Sequence, residues 1–146
     1  MNYEIVNLKE KILVGVSDIT GNDDPNMSKV IGGLWQKLYQ GGVNETIKNK
    51  ANKYSIGLYS DYHDNKYTVT VGNEVSSLEN EGLSVKKIPS GKYAKISIQG
   101  HMQKAVAEAW NEIWKMNLDR SYVADFEEYL NSDCDNAKIN IYISLR

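Results

Sequence analysis

Cysteine, phenylalanine, proline and histidine are scarce in these 146 residues, with one, one, two and two copies respectively, and each scarcity narrows the chemistry on offer. The single thiol, Cys134, cannot form an internal disulfide, which fits a reducing compartment. Its neighbours Asp133 and Asp135 disfavour a thiolate, so covalent cysteine chemistry is not expected. His63 and His101 lie 38 residues apart, with no cysteine or carboxylate spacing of a metal site around either, and a structural or surface role is expected for each. There is no His-Glu-x-x-His pattern and no phosphate-binding glycine loop, so no metal, cofactor or catalytic residue is assigned. No apolar run approaches the roughly 18 residues that cross a bilayer, and the N-terminus lacks the basic-then-apolar order of a signal peptide. A cytoplasmic protein with no membrane contact is the expectation. Neither charge sign dominates: a net charge of -2 with scattered lysines leaves no basic face, which argues against direct nucleic-acid binding.

What is present is enough for one compact domain over residues 1–146, with 41% hydrophobic content to build a core. Two segments 75 residues apart carry one helical pattern: Met27, Val30, Ile31, Leu34, Trp35 and Leu38 correspond to Met102, Ala105, Val106, Ala109, Trp110 and Ile113. Apolar spacing of this kind is common to amphipathic helices, so the match of Trp35 with Trp110 carries the more weight. The chain reads as a duplication, with a first module over about residues 1–78 and a second over about 83–146. Two copies of one unit meet at a pseudo-two-fold axis, and their seam is a natural place for a pocket.

The first module reads as strands over Tyr3 to Leu8 and Lys11 to Ser17, able to form a hairpin across Lys9-Glu10. A helix follows from Met27 to about Gln40, with Asp23, Asp24 or Asn26 as its cap and Gly41-Gly42 as its end. Strands over Lys53 to Ser60 and Lys66 to Glu74 complete it. Glu79 to Gly82 is the expected joint. The second module repeats the pattern with strands over Leu83 to Ile88 and Lys92 to Gln99, a helix over Met102 to Asn117, and a last strand over Lys138 to Leu145. Ser121 to Asn136 reads as neither helix nor strand. The expected class is α+β, a duplicated ββαβ or βαββ-type unit with both helices on one face of an antiparallel sheet. Gly32 and Gly33 lie inside the first helix at a cost of about 1 kcal/mol each relative to alanine. Close approach to a ligand or to the other half would compensate; a frayed or late-starting helix would remove the cost.

Ten tyrosines and three tryptophans against one phenylalanine form an unusual aromatic set. Tyrosine suits strands, yet Tyr and Trp also join an apolar body to a polar tip that can face a ligand, so two or three of them are expected to line a pocket. Glu127, between Phe126 and Tyr129, is the carboxylate singled out.

Ile88-Pro89-Ser90-Gly91-Lys92-Tyr93-Ala94, the helix around Trp110, Asp125-Phe126-Glu127-Glu128-Tyr129 and Ile139-Asn140-Ile141-Tyr142-Ile143 together resemble the GyrI-like small-molecule-binding family. This family includes the effector-binding domains of multidrug-responsive transcription regulators. Tyr54 to Ser60 and Tyr67 to Glu74, with Val71-Gly72-Asn73-Glu74-Val75, resemble its central strands, so the likeness spans the chain. The resemblance implies a cleft between two modules, lined by aromatic side chains and holding a buried glutamate that attracts lipophilic cations. Glu127 matches that glutamate, and Tyr142 matches the tyrosine of the final strand. Tyr93, Trp110, Trp35, Tyr59 and Tyr67 are the further ligand-binding candidates. The first strand at about Tyr3 leaves no room before it for the DNA-binding domain that regulators of the family carry, so a freestanding sensor or sequestering protein is the expectation. Its partner would be a small molecule, with a protein partner or a homodimer as further options. The resemblance also implies two alternatives: a hydrolase of reactive cyclopropane-bearing compounds, with Glu127 and Glu74 as candidate acids, or a gyrase-inhibiting interaction module.

Overall fold

The computed structural model describes residues 1–77, 80 and 82–146. Eight strands and three helices follow in order: β1 (Glu4–Leu8), β2 (Lys11–Gly21), α1 (Met27–Tyr39), α2 (Val43–Thr46), β3 (Ser55–His63), β4 (Lys66–Val75), β5 (Ser84–Ile88), β6 (Gly91–Gly100), α3 (Met102–Lys115), β7 (Arg120–Tyr129) and β8 (Ala137–Leu145). All strands join one antiparallel sheet in the order β1-β6-β8-β7-β3-β4-β2-β5.

Strand parity decides what each face carries, because alternate side chains point to opposite sides. Val16, Val71, Gly57, Glu127, Ile141 and Ile96 form one row across six strands, each paired with the next. Leu34 and Leu38 of α1 pack with Val14, Val16, Val69 and Val71 at one end of this face. Ala109 and Ile113 of α3 pack with Ile96, Ile139, Ile141 and Ile143 at the other. Both long helices therefore cover the same face, as expected, and each fully buried aliphatic side chain there contributes on the order of 1.5–3 kcal/mol. The opposite face holds a separate cluster of Leu13, Ile56, Leu58, Ile88, Tyr93, Ala124, Phe126 and Tyr142. With both faces covered, central strands such as β2 and β8 bury successive residues and show no clean alternation.

Three departures from the sequence reading have physical causes. The strands flanking Lys9-Glu10 do not form a hairpin: β1 pairs with β6 and β2 with β5, so Leu8 lies opposite Gly91 and Lys11 opposite Ile88. The opening strands of the two halves thus pair with each other on both sides of these links, and residues of all four contribute to the cluster around Phe126. Ser121 to Asn136 holds all but the first residue of strand β7, hidden because both faces of the strand are buried and the carboxylates of Asp125, Glu127 and Glu128 interrupt its apolar run. No side chain of the 23–26 loop caps α1; Asp24 accepts from the Asn26 amide and the Thr20 hydroxyl and shapes the loop instead. Gly41-Gly42 follows α1 as expected, with Gly42 left-handed at φ 79°. His101 caps α3, its ring accepting from the Lys104 amide. Gly32 and Gly33 are regular helix, and a Cβ on either would meet nothing within 4 Å, so neither close approach to the other half nor fraying explains them. Of the joint expected over 79–82, residues 79 and 81 lie outside the described residues.

Candidate functional site at the β3–β7 seam

The sheet order is symmetric about the seam between β3 and β7, where Gly57 lies opposite Glu127. A two-fold operation through that pair carries Tyr59 onto Tyr129, because each lies two residues on. The helix correspondence carries Trp35 onto Trp110. The contacts follow the same relation: Trp35 meets Tyr129 edge-on at 5.0 Å and Trp110 meets Tyr59 edge-on at 5.6 Å. One turn further along each helix, Tyr39 stacks on Trp35 and Trp114 tilts against Trp110. These outer rings are about half exposed.

Glu127 sits at the centre, 2% exposed. Tyr129 donates its hydroxyl to Oε1 at 2.6 Å, while Trp110 Nε1 at 2.7 Å and the Tyr59 hydroxyl at 3.1 Å donate to Oε2. All three donors are neutral, and among the described residues no lysine or arginine pairs with this carboxylate. Burial pushes its carboxyl above the ordinary carboxylate range, against the opposing effect of the three hydrogen bonds. Burial, followed by the charge of Glu127, holds the Tyr59 and Tyr129 hydroxyls well above the usual phenol range, so both stay protonated and donate. Gly57 gives the arrangement its room: a Cβ there would come 3.2 Å from Trp35 Cζ2 and 3.5 Å from Glu127 Oε1.

A second buried carboxylate lies two residues away on the same strand face, and it is satisfied differently. Asp125 is fully buried and pairs with Arg120 at 2.7 Å. It also accepts from the Tyr62 hydroxyl at 2.7 Å and from the Ser144 amide at 2.9 Å. Tyr67 packs edge-on against both Tyr59 and Tyr62, so an unbroken chain of rings links the two carboxylates.

Of the candidate residues, the structure brings together Glu127, Trp110, Tyr59 and Trp35, with Tyr67 one ring further out. It does not bring Tyr93 or Tyr142 to them. Tyr142 is paired with Phe126 and so has the opposite parity to Glu127; it stacks on Phe126 at 4.6 Å, with Tyr93 edge-on to both, inside the cluster on the other face. Glu74 also belongs to that face, held by Lys11 at 3.1 Å and by Asn52, and does not stand beside Glu127. The sequence reading missed Tyr129, Tyr62, Asp125 and Arg120. The i, i+2 spacing of Asp125, Glu127 and Tyr129 would have found the first and third once the segment was read as a strand. Among the described residues no group of three or more His, Cys, Asp or Glu is placed to hold a metal ion, and no helix is long and apolar enough to cross a membrane.

Comparison with known proteins agrees with this architecture. The family model described as Cass2, integron-associated effector binding protein, matches residues 4–145. The integron cassette protein VCH_CASS2, from the mobile metagenome of Vibrio cholerae, is 28% identical over 99% of this chain and 95% of its own, with a TM-score of 0.76. SAV2435, solved bound to tetraphenylphosphonium, is 22% identical over 100% of this chain and 94% of its own, with a TM-score of 0.84. The C-terminal domain of EcmrR is 15% identical over 100% of this chain and 99% of its own, with a TM-score of 0.60. The last two are likenesses of fold. No curated protein matches the chain.

Proposed function

The chain belongs to the Cass2 family of integron-associated effector binding proteins, and from that premise we propose that it binds a lipophilic organic monocation between α1 and α3, with Glu127 as the counter-charge. One observation carries the reading: a carboxylate 2% exposed is held by three neutral donors and no resident cation. Such a group pays for its desolvation without a partner, and an arriving cation supplies one. A large cation with diffuse charge sheds its own water cheaply, so apolar bulk and positive charge together are the chemistry this site rewards. The rings of Trp35, Tyr59, Trp110 and Tyr129 add on the order of 0.5–2 kcal/mol per well-placed cation–π contact. These contacts demand little shape precision, which supports broad specificity. That SAV2435 was solved with tetraphenylphosphonium, a cation of this class, supports the same choice of ligand.

In this reading the seam joins two copies of a ββαββ unit, over about residues 1–78 and 83–146, and the protein works as a sensor or a sequestering agent in the cytoplasm. Trp35 and Trp110 report directly on the site. Titration with tetraphenylphosphonium and with triphenylphosphine oxide, a neutral aromatic of related shape, should quench tryptophan fluorescence saturably for the cation and far less for the neutral compound. Equal affinity for both, or no binding of the cation, would overturn the proposal.

A further inference from the structure

Asp125 and Glu127 point the same way from β7, and over two residues a strand advances about 7 Å. Both are buried, both accept from a tyrosine hydroxyl, and the rings of Tyr59, Tyr67 and Tyr62 connect them. They differ in charge pairing: Asp125 already holds a cation. The Arg120 guanidinium bonds Asp125 at 2.7 Å and lies over the Tyr122 ring at 4.3 Å, a charge set on an aromatic face and against a carboxylate. Tyr122 in turn packs edge-on against Tyr62, and its own backbone is left-handed at φ 55°, where the β7–β8 register shifts between Arg120 and Asp125. The Arg120 side chain is 12% exposed, and its Nε is buried with no hydrogen-bond acceptor among the described residues. Here a guanidinium occupies the kind of position that Glu127 offers to a ligand.

We propose that Arg120 is a specificity-determining residue: it fills a second cation position, Asp125, on the same face of β7 and thereby restricts the ligand to a single positive charge. This inference rests on the reading of Glu127 as a cation site. With Arg120 in place, a dication that pairs one charge with Glu127 brings its other charge up against a guanidinium. With Arg120 removed, Asp125 keeps the Tyr62 hydroxyl and the Ser144 amide and hydroxyl as donors, close to the complement that Glu127 has now.

The test uses benzyltrimethylammonium as the monocation and its para-xylylene bis(trimethylammonium) counterpart as the dication, whose nitrogens are about 7 Å apart, close to the advance of two strand residues. Affinities are measured for the wild-type chain and for Arg120→Ala. The ratio of dication to monocation affinity should rise by about tenfold or more in Arg120→Ala, the change expected from replacing a repulsive charge with an attractive one. Arg120→Lys should keep the wild-type ratio, and Arg120→Ala combined with Asp125→Asn should lose the gain. Should Arg120→Ala fold poorly, methylguanidinium should raise its melting temperature and leave that of the wild type unmoved, since only the variant has an empty position. A folded Arg120→Ala protein with an unchanged ratio and no methylguanidinium response would overturn the inference while leaving the role of Glu127 standing. Failure of the wild type to bind the monocation at all would overturn both.

Discussion

Replacing Glu127 with glutamine removes the charge at the seam while leaving the hydrogen bonds satisfiable, which makes it the sharpest perturbation of the proposed site. The amide oxygen, placed where Oε2 lies, accepts from Trp110 Nε1 and the Tyr59 hydroxyl as before. The amide nitrogen then faces the Tyr129 hydroxyl, which turns from donor to acceptor. Alanine would instead strand three buried donors, one of them an indole N–H that cannot reverse, at about 1–3 kcal/mol each. Glu127→Gln should therefore fold, and at neutral pH it should match or exceed the wild type in stability, because it relieves a buried charge that has no cation partner. Removing one charge of a buried pair costs about 2–5 kcal/mol, and the retained amide dipole favours the lower end, so affinity for tetraphenylphosphonium should fall by at least about thirtyfold. Affinity for triphenylphosphine oxide should change little. Calorimetric titration of both compounds into both proteins measures the difference, and an equal loss for the two ligands would show that Glu127 acts through packing and not through charge.

Three further outcomes follow from the same geometry. The Glu127 carboxyl is raised in the folded chain, so its contribution to stability is full below the unfolded-state pKa and is lost as pH rises through the folded value. Thermal melts should accordingly show the wild type gaining on Glu127→Gln as pH falls through the raised folded value towards the ordinary carboxylate range, while cation affinity, which needs the ionised form, declines over the same range. Gly57→Ala places a methyl group 3.2 Å from Trp35 Cζ2, so Trp35 must shift; stability should drop by about 1–3 kcal/mol in denaturant unfolding, with weaker cation binding beside it. Gly32→Ala meets open space in a regular helix and should stabilise by up to about 1 kcal/mol, seen as a higher denaturation midpoint with an unchanged slope.

Local patterns were legible in the sequence where one residue type meets one demand. Trp35 and Trp110 lie on the two long helices, and the apolar stripes around them select the faces that pack on the sheet. Gly41-Gly42 follows α1 because a left-handed residue is needed there. Pairing between distant strands was not legible. A two-residue link such as Lys9-Glu10 suits a hairpin locally, and only the competing ladder between β1 and β6 shows that the chain bends and continues instead. Strand β7 was obscured by its own composition, since Asp125, Glu127 and Glu128, all buried, are the polar types that normally mark a solvent face. Once that strand is missed, parity is lost with it, and Tyr142 cannot be seen to point away from Glu127 although Phe126, its cross-strand partner, is the residue next to that glutamate.

The seam also shows how a symmetric arrangement can present one unpaired carboxylate, as the proposed site requires. At the axis, symmetry would place the same residue at positions 57 and 127, with side chains about 4.5–5.5 Å apart across the ladder. Two glutamates there would repel, and one would take up a proton as paired buried carboxylates do. Two glycines would leave a gap with no anion. Glycine on one side and glutamate on the other break the symmetry at the one pair where it would defeat the chemistry, while Tyr59 with Tyr129 and Trp35 with Trp110 keep it around the rim. The volume vacated at Gly57 is taken up by Trp35 and a carboxylate oxygen of Glu127, so the asymmetry gives the glutamate its place as well as its solitude. Next along β7, the charge of Asp125 is cancelled within the chain by Arg120. A single buried carboxylate with no cation partner among the described residues, ringed by aromatic side chains, is the result, and it is what the proposed aromatic monocation would complement.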